Sequence, residues 1–196
     1  MAKEKDNELL TKAIAYANKM HADTCRKGTN MPYIVHPLEV MHNLYLMKAS
    51  KALMAAGVLH DVVEDTDATI ADIEKKFGKE IAELVNSHTE QNKELPWEER
   101  KVIAMEEERN LPKEKQMLAL ADKLSNIRAM HRDLQIHGEK LWERFNRGKD
   151  KQSWYYHSSV NVLKALDCEA NIAPYYEEFK RLVDDVFGPE PEGCLK

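Results

Sequence analysis

A chain of 196 residues and 22.6 kDa is long enough for one sizeable domain or two small ones. Its 29 Lys and Arg against 34 Asp and Glu give a formal charge of −5 and a pI near 5.9, a balance that argues against a general polyanion binder and so against nucleic acid as a partner. Gly and Pro number seven each, well below the roughly 12% combined that globular chains carry, which leaves little turn chemistry for a β-sandwich and moves the expectation to helices.

Cys25, Cys168 and Cys194 form no CxxC pair. Neither a disulfide framework nor a zinc knuckle is suggested, and thiols in the reducing cytoplasm are expected. The start, Met1-Ala-Lys-Glu-Lys-Asp6, is not followed by the apolar stretch of a secretory signal, and no window approaches a run of uncharged apolar residues long enough to span a bilayer, so no membrane association is expected. Cys194 stands third from the end, off the spacing of a prenylation box.

Leu9, Leu10, Ala13, Ile14, Ala17 and Met20 recur at helical spacing and predict the first helix. From Arg26 to Pro37 the chain contains Gly28, Asn30, Pro32 and Pro37, which break regular structure, and a loop this long in a compact domain is often functional. Pro37 suits a first helical turn, so a second helix is predicted from Pro37 to Met47, with His36 held extended at its entrance by the proline that follows. A third is predicted from Lys51 to Glu64, because Ala52, Leu53, Ala55, Ala56, Val58 and Leu59 form a small, apolar run suited to close packing.

Thr69 with Asp72 gives a capping-box start to a short helix ending at Phe77-Gly78, and another follows through Ile81, Leu84 and Val85. The charged segment Trp97 to Arg109 is expected to lie across the surface. Pro112 opens a long helix through Leu118, Leu120, Leu124 and Ile127, and helices from Lys149 to Leu166 and from Pro174 to Phe187 close the chain. With no repeat, low-complexity block or linker, the expectation is an all-α architecture: one helical domain of about eight to ten helices over residues 1–188, then a flexible tail, 189–196.

The densest polar cluster, His60-Asp61-Val-Val-Glu64-Asp65-Thr66, directly follows the apolar run. Taken as the last turn of the third helix, with His60 as reference, it puts Glu64 near 40°, Asp61 near 100° and Asp65 near 140° at about 100° per residue. Carboxylates gathered there oppose the helix dipole, so something cationic must compensate. A divalent metal is the strongest compensation available to His and Asp side chains; a solvated polar helix end is the alternative. His36 is a ligand type on a stiff, Pro-punctuated backbone, and Asp122 shares a helix face with Asn126, four residues on. Taken singly, His36 reads as a helix-start residue and Asp122 as half of an interhelical ion pair.

Taken together, a lone His, a His-Asp doublet and a distant Asp inside an apolar helix resemble the ligand order of the HD superfamily of metal-dependent phosphohydrolases. More narrowly, Arg26-Lys-Gly, Pro32-Tyr-Ile-Val-His36-Pro-Leu-Glu-Val, Ala55-Ala-Gly-Val-Leu-His60-Asp61-Val-Val-Glu64-Asp65-Thr, Phe77-Gly and Leu120-Ala-Asp122-Lys-Leu-Ser-Asn126-Ile-Arg128 are similar to the hydrolase domain of RelA/SpoT-type alarmone enzymes. Lys151-Gln-Ser-Trp154-Tyr155-Tyr156 resembles stand-alone small alarmone hydrolases, and the likeness covers most of residues 13–166.

The resemblance implies an HD-type helical fold and hydrolysis of guanosine tetra- or pentaphosphate (ppGpp or pppGpp) at the 3′-pyrophosphate, releasing pyrophosphate and GDP or GTP, with one divalent metal, usually manganese. It implies His36, His60, Asp61 and Asp122 as ligands, and Glu64 and Asp65 as the groups that orient or deprotonate the attacking water. Arg26 and Lys27 fall at the purine and its ribose, Asn126 at ribose or phosphate, Lys151 and Arg128 among the phosphate candidates, and Tyr155 as a hydrogen-bond donor. The plainer alternatives are a solvated helix start for Lys151, a surface ion pair for Arg128, and core packing for Trp154-Tyr155-Tyr156.

Two departures matter. The family's His-x-Gly-Gln-x-Arg approach to the loop appears as His21-Ala-Asp-Thr-Cys-Arg26, which leaves base selectivity open, and Ser125 stands where longer members commonly carry His. Two further readings share these residues: an HD-type phosphatase acting on another 2′- or 3′-phosphorylated nucleotide such as NADPH, and a non-catalytic nucleotide-binding regulatory module. Retention of all four ligand positions with Glu64 and Asp65 counts against the second. The expected partner is a small nucleotide, and the sequence leaves homo-oligomerisation open.

Overall fold

The computed structural model describes residues 2–90 and 94–196, with side chains from Asn7 onward. The described residues contain no strand, only an isolated antiparallel bridge between Cys25 and Pro32. The chain falls into two compact units, 1–90 and 91–196, at a point where the sequence carries no linker signature. Among the described residues no helix is long and apolar enough to cross a membrane.

The first unit contains α1 (Ala2–Met20), α2 (Val35–Leu46), α3 (Lys51–Leu59), α4 (Val62–Asp65), α5 (Ile70–Phe77) and α6 (Lys79–Asn86). Its centre is α3, which packs on α1, α2 and α6. Every residue from Leu53 to Leu59 is buried, as a helix apolar on all sides requires. Ser50 caps it by accepting the Leu53 N–H at 3.1 Å. The same core takes in Ala13 and Ala17, Val40 and Leu44, and Ile81 and Val85.

Two expectations change here. The helix predicted over Lys51–Glu64 stops at Leu59, and His60 and Asp61 make a turn before the short α4. The Gly57 carbonyl, which an unbroken helix would offer to the Asp61 N–H, instead accepts from His60 Nδ1 at 2.8 Å. The angular spacing expected for a continuous helix therefore does not apply. His36, expected extended ahead of the second helix, lies inside α2, whose N-cap Ile34 is itself helical at φ −53°, ψ −22°. Its N–H bonds the Tyr33 carbonyl at 3.0 Å, and Pro37 falls in the first turn, where a missing N–H costs no intrahelical bond.

The Thr69–Asp72 capping box closes in both directions: the Asp72 N–H donates to Thr69 Oγ1 at 3.2 Å and the Thr69 N–H to Asp72 Oδ2 at 3.0 Å. Gly78, at φ +90°, turns the chain from α5 into α6, a conformation costly to any residue with a Cβ.

The second unit contains α7 (Trp97–Asn110), α8 (Lys113–His137), a 3₁₀ segment (Gly138–Arg144), α9 (Lys149–Val162), a second 3₁₀ segment (Lys164–Cys168) and α10 (Ala173–Phe187). Here α8 is central, packing on α7, α10 and both 3₁₀ segments. Leu118, Leu120, Leu124 and Ile127 share the core with Tyr156, Val160, Phe179 and Val183. The helix predicted to run to Leu166 leaves α geometry after Val162, and α7 is not wholly superficial, since Met105 and Glu108 are buried. Residues 189–196, expected as a flexible tail, run along polar positions of α9. Trp154 Nε1 donates to the Gly193 carbonyl at 3.0 Å, the Leu195 N–H to Ser158 Oγ at 3.1 Å and Asn161 Nδ2 to the Leu195 carbonyl at 2.9 Å.

Candidate metal centre

In the first unit the chain leaves α1 for a tight hairpin. The Tyr33 N–H donates to the Thr24 carbonyl at 2.9 Å and the Arg26 N–H to the Met31 carbonyl at 2.8 Å, with Gly28 at φ +73° in the turn. The two arms thus face each other, and the Arg26 guanidinium lies 5.7 Å from the centre of the Tyr33 ring. Lys27, next in the loop, is exposed.

The hairpin delivers His36 to the start of α2, and the end of α3 delivers His60 and Asp61. Both imidazoles are buried, 2% and 1% exposed, with ring centres 5.2 Å apart and ring nitrogens within 4.8 Å. His60 Nε2 is 2.9 Å and His36 Nε2 3.5 Å from the same oxygen, Asp61 Oδ2. That oxygen also accepts the Tyr33 hydroxyl proton at 2.7 Å. Burial works to raise the Asp61 carboxyl, yet His60 and His36 outweigh it and hold the group well below the usual carboxylate range. Tyr33 moves the other way: burial, with the adjacent Asp61 charge, pushes its phenol upward.

Glu64 and Asp65 occupy the short helix behind this cluster. Glu64 accepts the backbone N–H of Glu90. Burial raises the Glu64 carboxyl, with Asp61 adding to the effect, and burial and Asp61 raise Asp65 as well. Two further histidines flank the cluster beyond His36 and His60: His88 meets His60 edge-on at 5.4 Å, while His21, 2% exposed, lies 4.7 Å from the Tyr33 ring with neither ring nitrogen hydrogen-bonded. In the sequence, His21 and Tyr33 stood only inside segments similar to the family, with no role of their own, and His88 stood in none. An aromatic after proline and a histidine on a helix end read as packing until the fold brings the tyrosine to the Asp61 carboxylate and the histidines to its neighbours.

In the second unit Asp122 and Asn126 do share a face of α8, and Asn126 Nδ2 donates to Asp122 Oδ1 at 2.8 Å. The intervening Lys123 is buried, and its Nζ bonds Glu108 Oε1 at 2.9 Å. Burial disfavours the Lys123 charge, but Glu108, Tyr155 and Asp122 together outweigh it and raise the ammonium. Tyr155 has Lys101 at 5.3 Å and Lys123 at 5.9 Å from its ring centre, with Trp97 at 6.1 Å. Lys151 pairs with Glu98 at 3.2 Å. Arg128 makes a two-pronged bond to Glu178 of α10, at 2.8 and 2.6 Å, so the ion-pair alternative describes it. The aromatic triplet divides: Tyr156 is core, stacked 5.6 Å from Phe187, while Trp154 and Tyr155 are part-exposed.

Against known proteins, the HD domain family matches residues 13–148. The chain belongs to the HD domain family. Among relatives of this HD domain, the guanosine-3′,5′-bis(diphosphate) 3′-pyrophosphohydrolase MESH1 of Xenopus tropicalis is 36% identical, over 65% of this chain and 72% of that protein. The GTP pyrophosphokinase of Myxococcus xanthus is 34% identical over 64% of this chain but only 17% of its own length, so the chain spans a small part of such longer relatives. Among solved structures, the Listeria monocytogenes protein lmo0812 matches at TM-score 0.73 and 41% identity, over 79% of this chain and 99% of that one. A metazoan orthologue of SpoT described as hydrolysing ppGpp matches at TM-score 0.73 and 27% identity, over 89% and 93%.

The HD domain and its His/Asp set point to a divalent metal. The residues fit one: two imidazole nitrogens and one carboxylate oxygen converge at spacings of 2.9 and 3.5 Å, a mixed nitrogen and oxygen donor set suited to a first-row divalent ion.

Proposed function

We propose that the chain is a divalent-metal-dependent hydrolase that cleaves ppGpp or pppGpp at the 3′-pyrophosphate, releasing pyrophosphate and GDP or GTP. The observation that carries this reading is the convergence of His36 and His60 on Asp61 Oδ2 in an HD domain 36% identical to a ppGpp pyrophosphohydrolase. In this reading Asp122 joins His36, His60 and Asp61 as a ligand, and the metal is manganese. When bound, the ion supplies acidity to a coordinated water and charge for a phosphoryl oxygen.

The chain's own residues supply the rest. Glu64, with one oxygen held by the Glu90 N–H and its carboxyl raised by burial, takes the proton of the attacking water. Asp65, raised by the same burial, orients that water. The water oxygen bonds to phosphorus, the bond from phosphorus to the ribose 3′-oxygen breaks, and that oxygen leaves with a proton. Arg26 and Lys27 take the purine and its ribose, Arg26 by stacking its planar guanidinium on the base. Asn126, Lys151 and Tyr155 take the ribose and phosphates. The enzyme works in the cytoplasm on a small nucleotide; its three cysteines, all free, suit a reducing compartment.

The test is a substrate panel with Mn²⁺ and with chelator: ppGpp, pppGpp, NADPH and ordinary nucleoside triphosphates. Pyrophosphate released from ppGpp and pppGpp alone, and abolished by chelator, is the expected result. Phosphate released from NADPH in preference would replace the substrate, and no turnover on any member would overturn the enzyme reading.

A further inference from the structure

We infer that Tyr33 is a positioning residue that ties the nucleotide-facing hairpin to the metal-binding carboxylate: its hydroxyl fixes Asp61, and its ring seats Arg26. The inference rests on the metal and substrate roles just proposed for Asp61 and Arg26, and assigns to one side chain the link between them.

The hydroxyl argument begins at a single atom. Asp61 Oδ2 is the oxygen on which His60 Nε2 and His36 Nε2 converge, and the Tyr33 hydroxyl donates to it at 2.7 Å. A hydrogen bond from a neutral hydroxyl to an ionised carboxylate is short and among the stronger kinds. It turns the carboxylate so that one oxygen faces both imidazoles. Partners of this sort, which touch a ligand and not the ion, set ligand orientation and change metal affinity by 10–100-fold when removed.

The ring argument is independent of the hydroxyl. Three groups pack on it: Arg26 at 5.7 Å, His21 at 4.7 Å with a 38° tilt, and His36 edge-on at 5.9 Å. His21 makes no hydrogen bond through either nitrogen, so its contribution here is the flat face it offers the phenol. The backbone fixes the pairing, since the Tyr33 and Arg26 amides each bond the opposite arm of the hairpin. Arg26 thus has a guanidinium backed by an aromatic face, worth a few-fold in binding when the cation is partly desolvated. Leucine at this position would remove that face, and phenylalanine would keep it.

The two arms separate by measurement. Metal-free wild type, Tyr33→Phe and Tyr33→Leu are titrated with Mn²⁺ in a calorimeter, and KM for ppGpp is then measured at saturating Mn²⁺. Tyr33→Phe is expected to bind Mn²⁺ about 10–100-fold more weakly with KM unchanged; Tyr33→Leu loses the same metal affinity and also raises KM about fivefold. A purely structural role would move both readouts together in both variants. Should Tyr33→Leu lose its cooperative melting transition, Arg26→Ala carries the second arm, with KM raised and Mn²⁺ affinity at the wild-type value. Wild type that binds Mn²⁺ alongside a Tyr33→Phe variant that binds it equally well overturns the inference and leaves the metal reading intact, as does an unchanged KM in Tyr33→Leu or Arg26→Ala. Wild type that binds no Mn²⁺ overturns both.

Discussion

The His60 Nδ1–H donates to the carbonyl oxygen of Gly57 at 2.8 Å. A carbonyl only accepts, so in the neutral imidazole the proton sits on Nδ1 and the lone pair on Nε2. Nε2 is the nitrogen 2.9 Å from Asp61 Oδ2. One contact at the end of α3 therefore leaves Nε2 with the lone pair that the metal-ligand role proposed for His60 would need.

The proposed division of labour predicts opposite behaviour from two carboxylates. Asp122→Ala should lose metal and turnover together, and His60→Ala likewise. Glu64→Gln should keep metal content at the wild-type level while kcat falls about 10²–10⁴-fold, the usual loss of a general base. Metal analysis by atomic emission beside steady-state rates checks this; a Glu64→Gln variant with intact turnover would remove Glu64 from the proton-transfer role.

The Lys123–Glu108 pair predicts a strong asymmetry in stability. Both side chains are nearly inaccessible, 5% and 11% exposed, so Glu108→Ala leaves an ammonium buried without its carboxylate and should cost about 3–5 kcal/mol. For a chain of this length that lowers Tm by roughly 10 °C. Replacing both, Lys123→Met with Glu108→Leu, should restore most of the loss, because the desolvation of both charges disappears with them. Thermal melts of the two variants decide it.

His157 predicts acid sensitivity in the second unit. It is 4% exposed, and burial holds its imidazole below the ordinary 6.5 against the pull of Asp184 and Glu190, with Lys196 assisting burial. The folded state therefore keeps it neutral while the unfolded chain takes up a proton. Its contribution is complete above pH 6.5 and is lost as pH falls from 6.5 through the lower folded value. Melting temperature plotted against pH should fall more steeply for wild type than for His157→Asn in that window; parallel curves would show that His157 does not titrate there.

The capping box predicts a smaller, local effect. Thr69→Ala removes the acceptor of the Asp72 N–H and should cost about 1 kcal/mol, or roughly 2–4 °C in Tm for a chain of this size. Thr69→Ser should recover most of it. A melt of the alanine variant within a degree of wild type would mean that the box adds nothing beyond the apolar face of α5.

Much of the helical plan was legible in the chain itself. Apolar spacing located α1, α6 and α8, Pro112 and the Pro at the start of α10 marked helix starts, and Thr69 with Asp72 gave the α5 boundary to the residue. The residues proposed as ligands stood out locally as well: His60 and Asp61 directly follow an apolar run, Asp122 shares a helix face with Asn126, and His36 stands in a Pro-punctuated segment. These are local properties, written in periodicity and capping, and local sequence is enough to state them.

What tertiary structure alone decided lies between segments. Whether α3 runs through His60 or stops before it depends on a side chain claiming a backbone carbonyl, and periodicity does not see that competition. Glu108, in a segment expected to lie across the surface, is buried with Lys123 only once α7 packs on α8, and the aromatic triplet of α9 divides into core and rim only by what it faces. Tyr33 lies 28 residues from Asp61 in sequence and 2.7 Å from it in space. Composition determined that this chain would be helical and which donors it had to offer a metal. Only the packing of a hairpin against a helix end decided which hydroxyl would hold the carboxylate among them, because hydrogen bonds depend on distance in space, which the order of residues does not contain.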